Sequence, residues 1–333
     1  MSRYTVLGDD TLDQFIDGQL AGIRDRVVAE VGAAHIGALV LGGGYGRGEG
    51  GMRQTAEGQR PYNDYDLVLF HRHPRPQELQ APLDALHHEE SRRCGIHVDV
   101  TPIPCARIPH LPPALTWYEL GAGHVLLAGD AAVMEPLRRR TLAGVHPSEW
   151  GRLLVNRASG VAMAWRKLAG DPVQTGADED LAAFAQRQAM KAWLALGDCL
   201  LADAGLYQPL VQRRRTKTPP QPPEWWPRWL AAADFKFAPT PAPALPDLRA
   251  DLGRLRGLLA PALAARPAAT FRPLVALANT ARSLPPRCWW PPLRHPRDRL
   301  RLALVAELSG DAAGRDRHLG SWAGLEQVWN RFG

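Results

Sequence analysis

The chain has 333 residues, 45% apolar and 22% charged, with 31 glycines and 30 prolines; this excludes an acidic disordered chain, a collagen-like repeat and a long coiled coil, and the length suits two domains. Lysine and arginine outnumber aspartate and glutamate 40 to 34, a formal charge of +6 that suits an anionic partner without specifying one. The longest apolar runs, such as Val125 to Gly129, are far short of the roughly 18 to 20 residues that cross a bilayer, and the start MSRYTVLGDD lacks the basic-then-apolar order of a secretory signal, so no membrane partner and a cytoplasmic location are expected.

Apolar residues at Leu12, Phe15, Ile16, Leu20, Ile23, Val27 and Val31 recur at spacings of three and four and predict an opening helix. GALVL (Gly37 to Leu41) and YDLVLF (Tyr65 to Phe70) read as strands. Gln77 to Arg93 is a polar helix stopped by Gly95, and Ile96 to Ile103 is a further strand. Trp117 to Ala128 is expected to add a last strand, after which the β pattern stops. Ser148 with Glu149 is expected to cap a helix over Trp150 to Leu168, and a second helix runs from Asp178 to about Ala204. Nine prolines between Pro219 and Pro246 predict a non-helical insertion around 216–246. Helices follow at Leu248 to Ala264, Pro296 to Leu308 and Leu319 to Phe332. The division is an α/β (α+β) domain with a mixed sheet at 1–140 and an all-α domain at 141–333. The cysteines Cys94, Cys105, Cys199 and Cys288 form no CxxC pair, which predicts reduced thiols rather than zinc or disulfides.

The chemistry concentrates between Leu41 and Asp99. A strand runs into LGGGYGRGEGG, a second strand carries NDYDLVLF, and a third carries HVDVTPI. Strand alternation puts Asp64 and Asp66 on one face, and Asp99 stands between Val98 and Val100, where an acid needs a partner or a metal. Three acids gathered at one sheet edge repel one another and suit a hard cation, Mg²⁺ or Mn²⁺. Gly42, Gly43 and Gly44 allow close backbone approach, and N–H groups there suit phosphates. A Walker-type loop is a poor rival because no GK[ST] follows.

The ordered set of glycine turn, Asp-x-Asp strand and later strand acid, over about residues 37–103, resembles the nucleotidyltransferase superfamily related to DNA polymerase beta, and GGGYGRGEG is most similar to the turn of the minimal nucleotidyltransferases. The resemblance implies Asp64, Asp66 and Asp99 as catalytic metal ligands and Gly43, Gly44 and Arg47 as nucleotide contacts; Glu49, beside Arg47, reads as structural. It implies a nucleoside triphosphate substrate, ATP first among candidates, and transfer of a nucleoside monophosphate to an acceptor hydroxyl on a protein, a small molecule or RNA. Gly44 stands where the family usually has serine, and the stretch between Gly44 and Asp64 is long for the family, with the loop Gly50 to Pro61 taking up the difference. A non-catalytic nucleotide- or RNA-binding module is the alternative.

His97 shares its strand face with Asp99 and reads as a hydrogen-bonded neighbour. In the helical half, Lys191 lies among apolar residues two turns from Asp198, and by analogy it is the candidate phosphate contact there. Arg213 to Arg215 and Lys217, followed by Trp225, Trp226 and Trp229, read first as a pinned irregular segment and second as a single-stranded nucleic-acid surface. The Arg140 to His146 spacing, which resembles a ribonuclease pattern, is discounted because Pro147 follows.

Overall fold

The computed structural model describes residues 2–170, 180–266, 295–319, 321–325 and 328. The chain divides into two compact units: one comprises 1–146 with the returning segments 208–217 and 233–240, and the other comprises 147–207, 218–232 and 241–333. Both returning segments fall inside what the sequence division assigns to the helical domain. They belong to the first unit because Glu49 and its neighbours bind them, as described below.

The first unit carries α1 (Asp10–Val31), β1 (Ile36–Leu41), the single turn α2 (Gly43–Gly46), β2 (Met52–Thr55), β3 (Gly58–Pro61), β4 (Tyr65–His71), α3 (Gln80–Cys94), β5 (Val98–Pro104), α4 (Leu115–Ala122), β6 (Val125–Gly129) and α5 (Glu135–Arg138). Asp9 caps α1 by accepting from the Leu12 N–H, and the helix buries Leu12, Ile16, Leu20, Ile23, Val27 and Val31, the stripe its spacing predicts. Four strands form a mixed sheet in the order β5-β4-β1-β6. β1 pairs antiparallel with β4 and β6, and β4 pairs parallel with β5 through the crossover helix α3. Every residue of β1 is buried, as an interior strand covered on both faces requires. One apolar cluster joins Leu67, Leu69, Val98 and Val100 to α1 and α3; a second joins Ala38, Val40 and Phe70 to Leu120, Met134 and Leu137.

Three local expectations change. The strand expected over Trp117 to Ala128 is α4 followed by the shorter β6. TWYEL has β-rich composition, but Trp117 and Leu120, three apart, meet the second cluster from a helix, and a side chain at Gly121 would come within 2.1 Å of the Leu137 carbonyl oxygen. Packing overrides propensity there. The loop at 50–61 contains the β2–β3 hairpin. Ser148 is the first helical residue of α6 (Ser148–Leu168), with no side-chain cap.

The second unit holds α6, α7 (Leu181–Asp203), the start of α9 (Trp226–Phe237), α10 (Leu245–Ala265), α11 (Pro296–Leu308) and α12 (Ala312–Leu319), while α8 (Val211–Arg215) lies in a returning segment of the first. Asp180 caps α7 through the Ala182 N–H; Asp178, Cys288 and most of the helix expected at 319–332 lie outside the described residues. α9 corrects the expected non-helical insertion: Pro227 occupies the first helical turn, where its missing N–H costs nothing, and no proline follows until Pro239. Trp229 is fully buried and stacks on Trp226 at 4.5 Å between centroids. Gly197 on α7 makes this possible, since a Cβ there would lie 2.0 Å from the Trp229 ring. These tryptophans pin the segment, as the first reading holds. No helix among the described residues is long and apolar enough to cross a membrane.

Candidate active site

β1 ends at Leu41, and the Gly42 N–H donates to the Asp66 carbonyl at 2.7 Å, which fixes the glycine turn against β4. Gly43 has φ +58°, and a Cβ there would lie 2.1 Å from Asp66 Oδ2. The Asp66 carboxylate therefore rests directly on the turn, in space only glycine leaves open. At Gly44 a Cβ would approach the Glu49 carbonyl oxygen to 3.1 Å, a tight fit, and the Gly44 carbonyl accepts from both Arg47 and Glu49 N–H groups. A side chain at Gly44 would require this close return of the chain to give by a few tenths of an ångström.

Asp66 and Asp99 are direct partners in the parallel β4–β5 ladder. Adjacent strands run about 5 Å apart and alternation gives partners the same face, so the two exposed carboxylates stand side by side. Asp99 Oδ2 accepts from Thr101 Oγ1 at 3.3 Å. Asp64 is also exposed but precedes the first residue of β4, whose N–H is taken by the His97 carbonyl. Its charge acts on the buried Tyr45 phenol, whose pKa burial pushes up and Asp64 raises further. Among the described residues no three His, Cys, Asp or Glu side chains are grouped closely enough to hold a metal ion. Strand register brings Asp66 and Asp99 together, and Asp64 lies just before the first residue of β4. The pair suits Mg²⁺ on chemical grounds: this cation takes one or two carboxylates and completes its shell with water and substrate phosphate.

His97 meets His87 of α3 edge-on at 4.5 Å between ring centroids. The His87 pKa is lowered by burial first and by His97 next, while Asp99 opposes the shift.

Arg47 is drawn inward from the turn, with its Nε buried and without a hydrogen bond to a described residue. Its side chain is only 9% exposed and pairs with Glu119 at 3.5 Å, so its charge is spent inside the unit rather than on an open turn. It belongs to a sealed cluster. Glu49 accepts from the Val211 and Gln212 N–H groups at the start of α8, at 2.9 and 2.8 Å, and lies 3.7 Å from Lys236 Nζ; Arg214 approaches Glu119 at 3.9 Å. The Lys236 side chain keeps 17% exposure, but its nitrogen is shut off from solvent and makes no hydrogen bond to a described residue. Burial chiefly, then Arg47, lowers its pKa to about 8, against the pull of Glu49. Glu49 is structural, as expected; Lys236 carries no sequence signal beyond being one of four lysines.

Lys191 is exposed on α7 in the second unit, and Asp198 is buried there, accepting from Trp229 Nε1 at 3.3 Å. Arg214 is buried and donates to the Gln208 carbonyl at 2.7 Å, which removes it from any nucleic-acid surface. Arg140 binds the Leu111 and Pro112 carbonyls.

No protein-family model, curated protein or solved structure matches this chain.

Proposed function

We propose that the chain is a metal-dependent nucleotidyltransferase that moves a nucleoside monophosphate from a nucleoside triphosphate to an acceptor hydroxyl. The observation that carries this reading is the Asp66–Asp99 register pair standing beside a glycine turn on which Asp66 itself rests. Two exposed like charges held side by side are costly unless something cationic joins them. Asp66 and Asp99 would hold Mg²⁺ or Mn²⁺, which when bound supplies neutralisation of phosphate charge and a more acidic acceptor hydroxyl. The first-turn N–H groups of α2 have no helical acceptor and suit a phosphate oxygen. The new bond joins the acceptor oxygen to the α-phosphorus; the α–β bridging bond breaks, pyrophosphate leaves, and the hydroxyl proton passes to solvent or to Asp99. Asp64, just outside the pair, would add negative charge that holds the cation from a distance.

The direct test incubates the purified protein with each α-labelled nucleoside triphosphate, Mg²⁺ or Mn²⁺, and cell extract, and asks which molecules become labelled. Label on a protein, a small molecule or RNA names the acceptor class; equal labelling by Asp66→Asn would sink the assignment. The rival reading, a nucleotide- or RNA-binding module without turnover, draws on the lack of a third acid grouped with the pair among the described residues. Nucleotide affinity without any labelled product favours it.

A further inference from the structure

We propose that the first unit has a second anion site, a phosphate-binding cleft between α1, the β2–β3 hairpin and the C-terminal end of α3. The cleft has a volume of about 310 Å³, and the guanidinium groups of Arg53, Arg60, Arg92 and Arg93 line it against a single carboxylate, that of Glu57. Glu57 accepts a hydrogen bond from Thr55 Oγ1 at 3.0 Å and feels the Arg60 charge, so this one carboxylate offsets at most one of the four cations. Arg53 and Arg60 are direct partners in the antiparallel hairpin. Like charges placed opposite each other weaken a strand pair, so the hairpin is stable despite this pairing rather than because of it. Two of the four are held ready. Arg60 lies over the Phe15 ring at 4.6 Å; Arg93 is held by the Gln19 carbonyl and by an ion pair with buried Glu90 that offsets its charge, which leaves Arg53, Arg60 and Arg92 as the cations that face a ligand. Arg53 and Arg92 are exposed and form no ion pair with a described acid.

Planar guanidinium forks match phosphate oxygens in pairs, and arginines pre-set by packing lose little entropy on binding. The volume is at the small end for ligand clefts, which fits one phosphate group with a sugar-sized body and not a folded partner. Helix polarity accounts for Arg92 and Arg93 at the end of α3 but not for the opposed pair on the hairpin. The ligand class is a phosphate ester, carried by a small molecule or by a nucleic-acid strand. This site stands apart from the Asp66–Asp99 pair, and its existence does not depend on nucleotidyl transfer.

The test is binding in excess chelator, so that no metal-dependent site contributes. Inorganic pyrophosphate is titrated by calorimetry, and a fluorescein-labelled single-stranded RNA ten-mer by anisotropy. At least one probe is expected to bind, with affinity falling as salt rises. The Arg53→Ala/Arg92→Ala double variant is expected to bind it at least about tenfold more weakly, whereas Arg75→Ala, an exposed arginine outside the cleft, binds as wild type does. Relief of the cross-strand repulsion predicts a melting temperature for Arg53→Ala equal to or above wild type, which separates loss of binding from loss of fold; Arg92→Ala alone provides a second variant. Binding of pyrophosphate assigns a small phosphorylated ligand, and binding of the ten-mer without competition from pyrophosphate assigns a strand. Neither probe binding to wild type, or equal binding by the double variant, overturns the proposal.

Discussion

Two groups of charges flank the same glycine turn and answer to opposite physics. Asp66 and Asp99 are exposed like charges on neighbouring strands, close to each other by register alone. Arg47, Glu49, Glu119, Arg214 and Lys236 are opposite charges largely buried, linking the chain around the turn to α8 and the end of α9. Burying ions is costly, and here the ion pairs and the Glu49 hydrogen bonds offset that cost while Arg47 Nε, Arg214 Nε and Lys236 Nζ stay without hydrogen bonds to described residues. An exposed like-charge pair costs the fold less but contributes nothing to it. The first arrangement is therefore read as the place for a ligand and the second as a fastening, although a sequence pattern assigns Arg47 to the former.

The sharpest way to break this contrast is to neutralise one member of each group. Asp66→Asn should reduce transfer by about a thousandfold or more while leaving the melting temperature unchanged or higher, since it removes a metal ligand and a repulsion together. Labelled-product formation and thermal melting, measured on the same preparation, check both halves. Glu49→Ala should do the reverse. It leaves the Val211 and Gln212 N–H groups without their acceptor and Lys236 without its acid, and removal of one partner from a buried pair costs about 3 kcal/mol or more. Urea denaturation measures that loss; a change below about 0.5 kcal/mol, the range of ordinary surface substitutions, would show that the cluster is not a fastening.

Asp99→Asn sharpens the comparison within the exposed pair. Asp66 also touches the glycine turn, whereas Asp99 meets the partner strand and Thr101 and acts on His87 of α3. Loss of Asp99 should therefore depress the single-turnover rate about a hundredfold while changing nucleotide affinity severalfold at most. Equal losses in both would place Asp99 in ground-state binding instead.

The strands and α1 were legible because alternation and three-four spacing are local signals: β1 is apolar throughout, and β4 and β5 open with buried apolar residues on either side of an exposed acid. Asp99 was legible for a related reason: an acid flanked by two buried valines has to be explained by its neighbours. α4 was not, because Trp117 and Tyr118 favour strand locally and only contact with Leu137 and Met134 makes the helix the better choice. The hairpin was missed because MRQT and GQRP contain little of the β-branched and aromatic content that marks strands. The fastening was least legible of all. Glu49 meets residues more than 160 positions later, and nothing in the local FKF pattern marks Lys236 as its partner.

The smallest expected effect is also the most specific to the sealed cluster. Lys236 has a folded pKa of about 8, below the ordinary lysine value of 10.5, with burial the main cause, Arg47 and Arg214 adding to it and Glu49 and Glu119 opposing. Between these two values the unfolded chain holds a proton that the folded chain has released, so stability rises with pH across that window, with a slope of at most about 1.4 kcal/mol per pH unit. Other groups pull the opposite way at its upper end. The Cys94 and Cys199 thiols and the Tyr4, Tyr45 and Tyr65 phenols are raised by burial, and their contribution is lost as pH climbs through the thiol and phenol ranges. Wild type alone would blur these opposing slopes. Lys236→Met keeps the stem's packing and removes only the titrating group, and the thiols and phenols are common to both proteins. The difference in urea stability between wild type and Lys236→Met, measured at pH 7.5, 8.5 and 9.5, should therefore shift steadily in favour of wild type. A difference that stays flat would mean that the Lys236 ammonium keeps its ordinary pKa and that the cluster admits water.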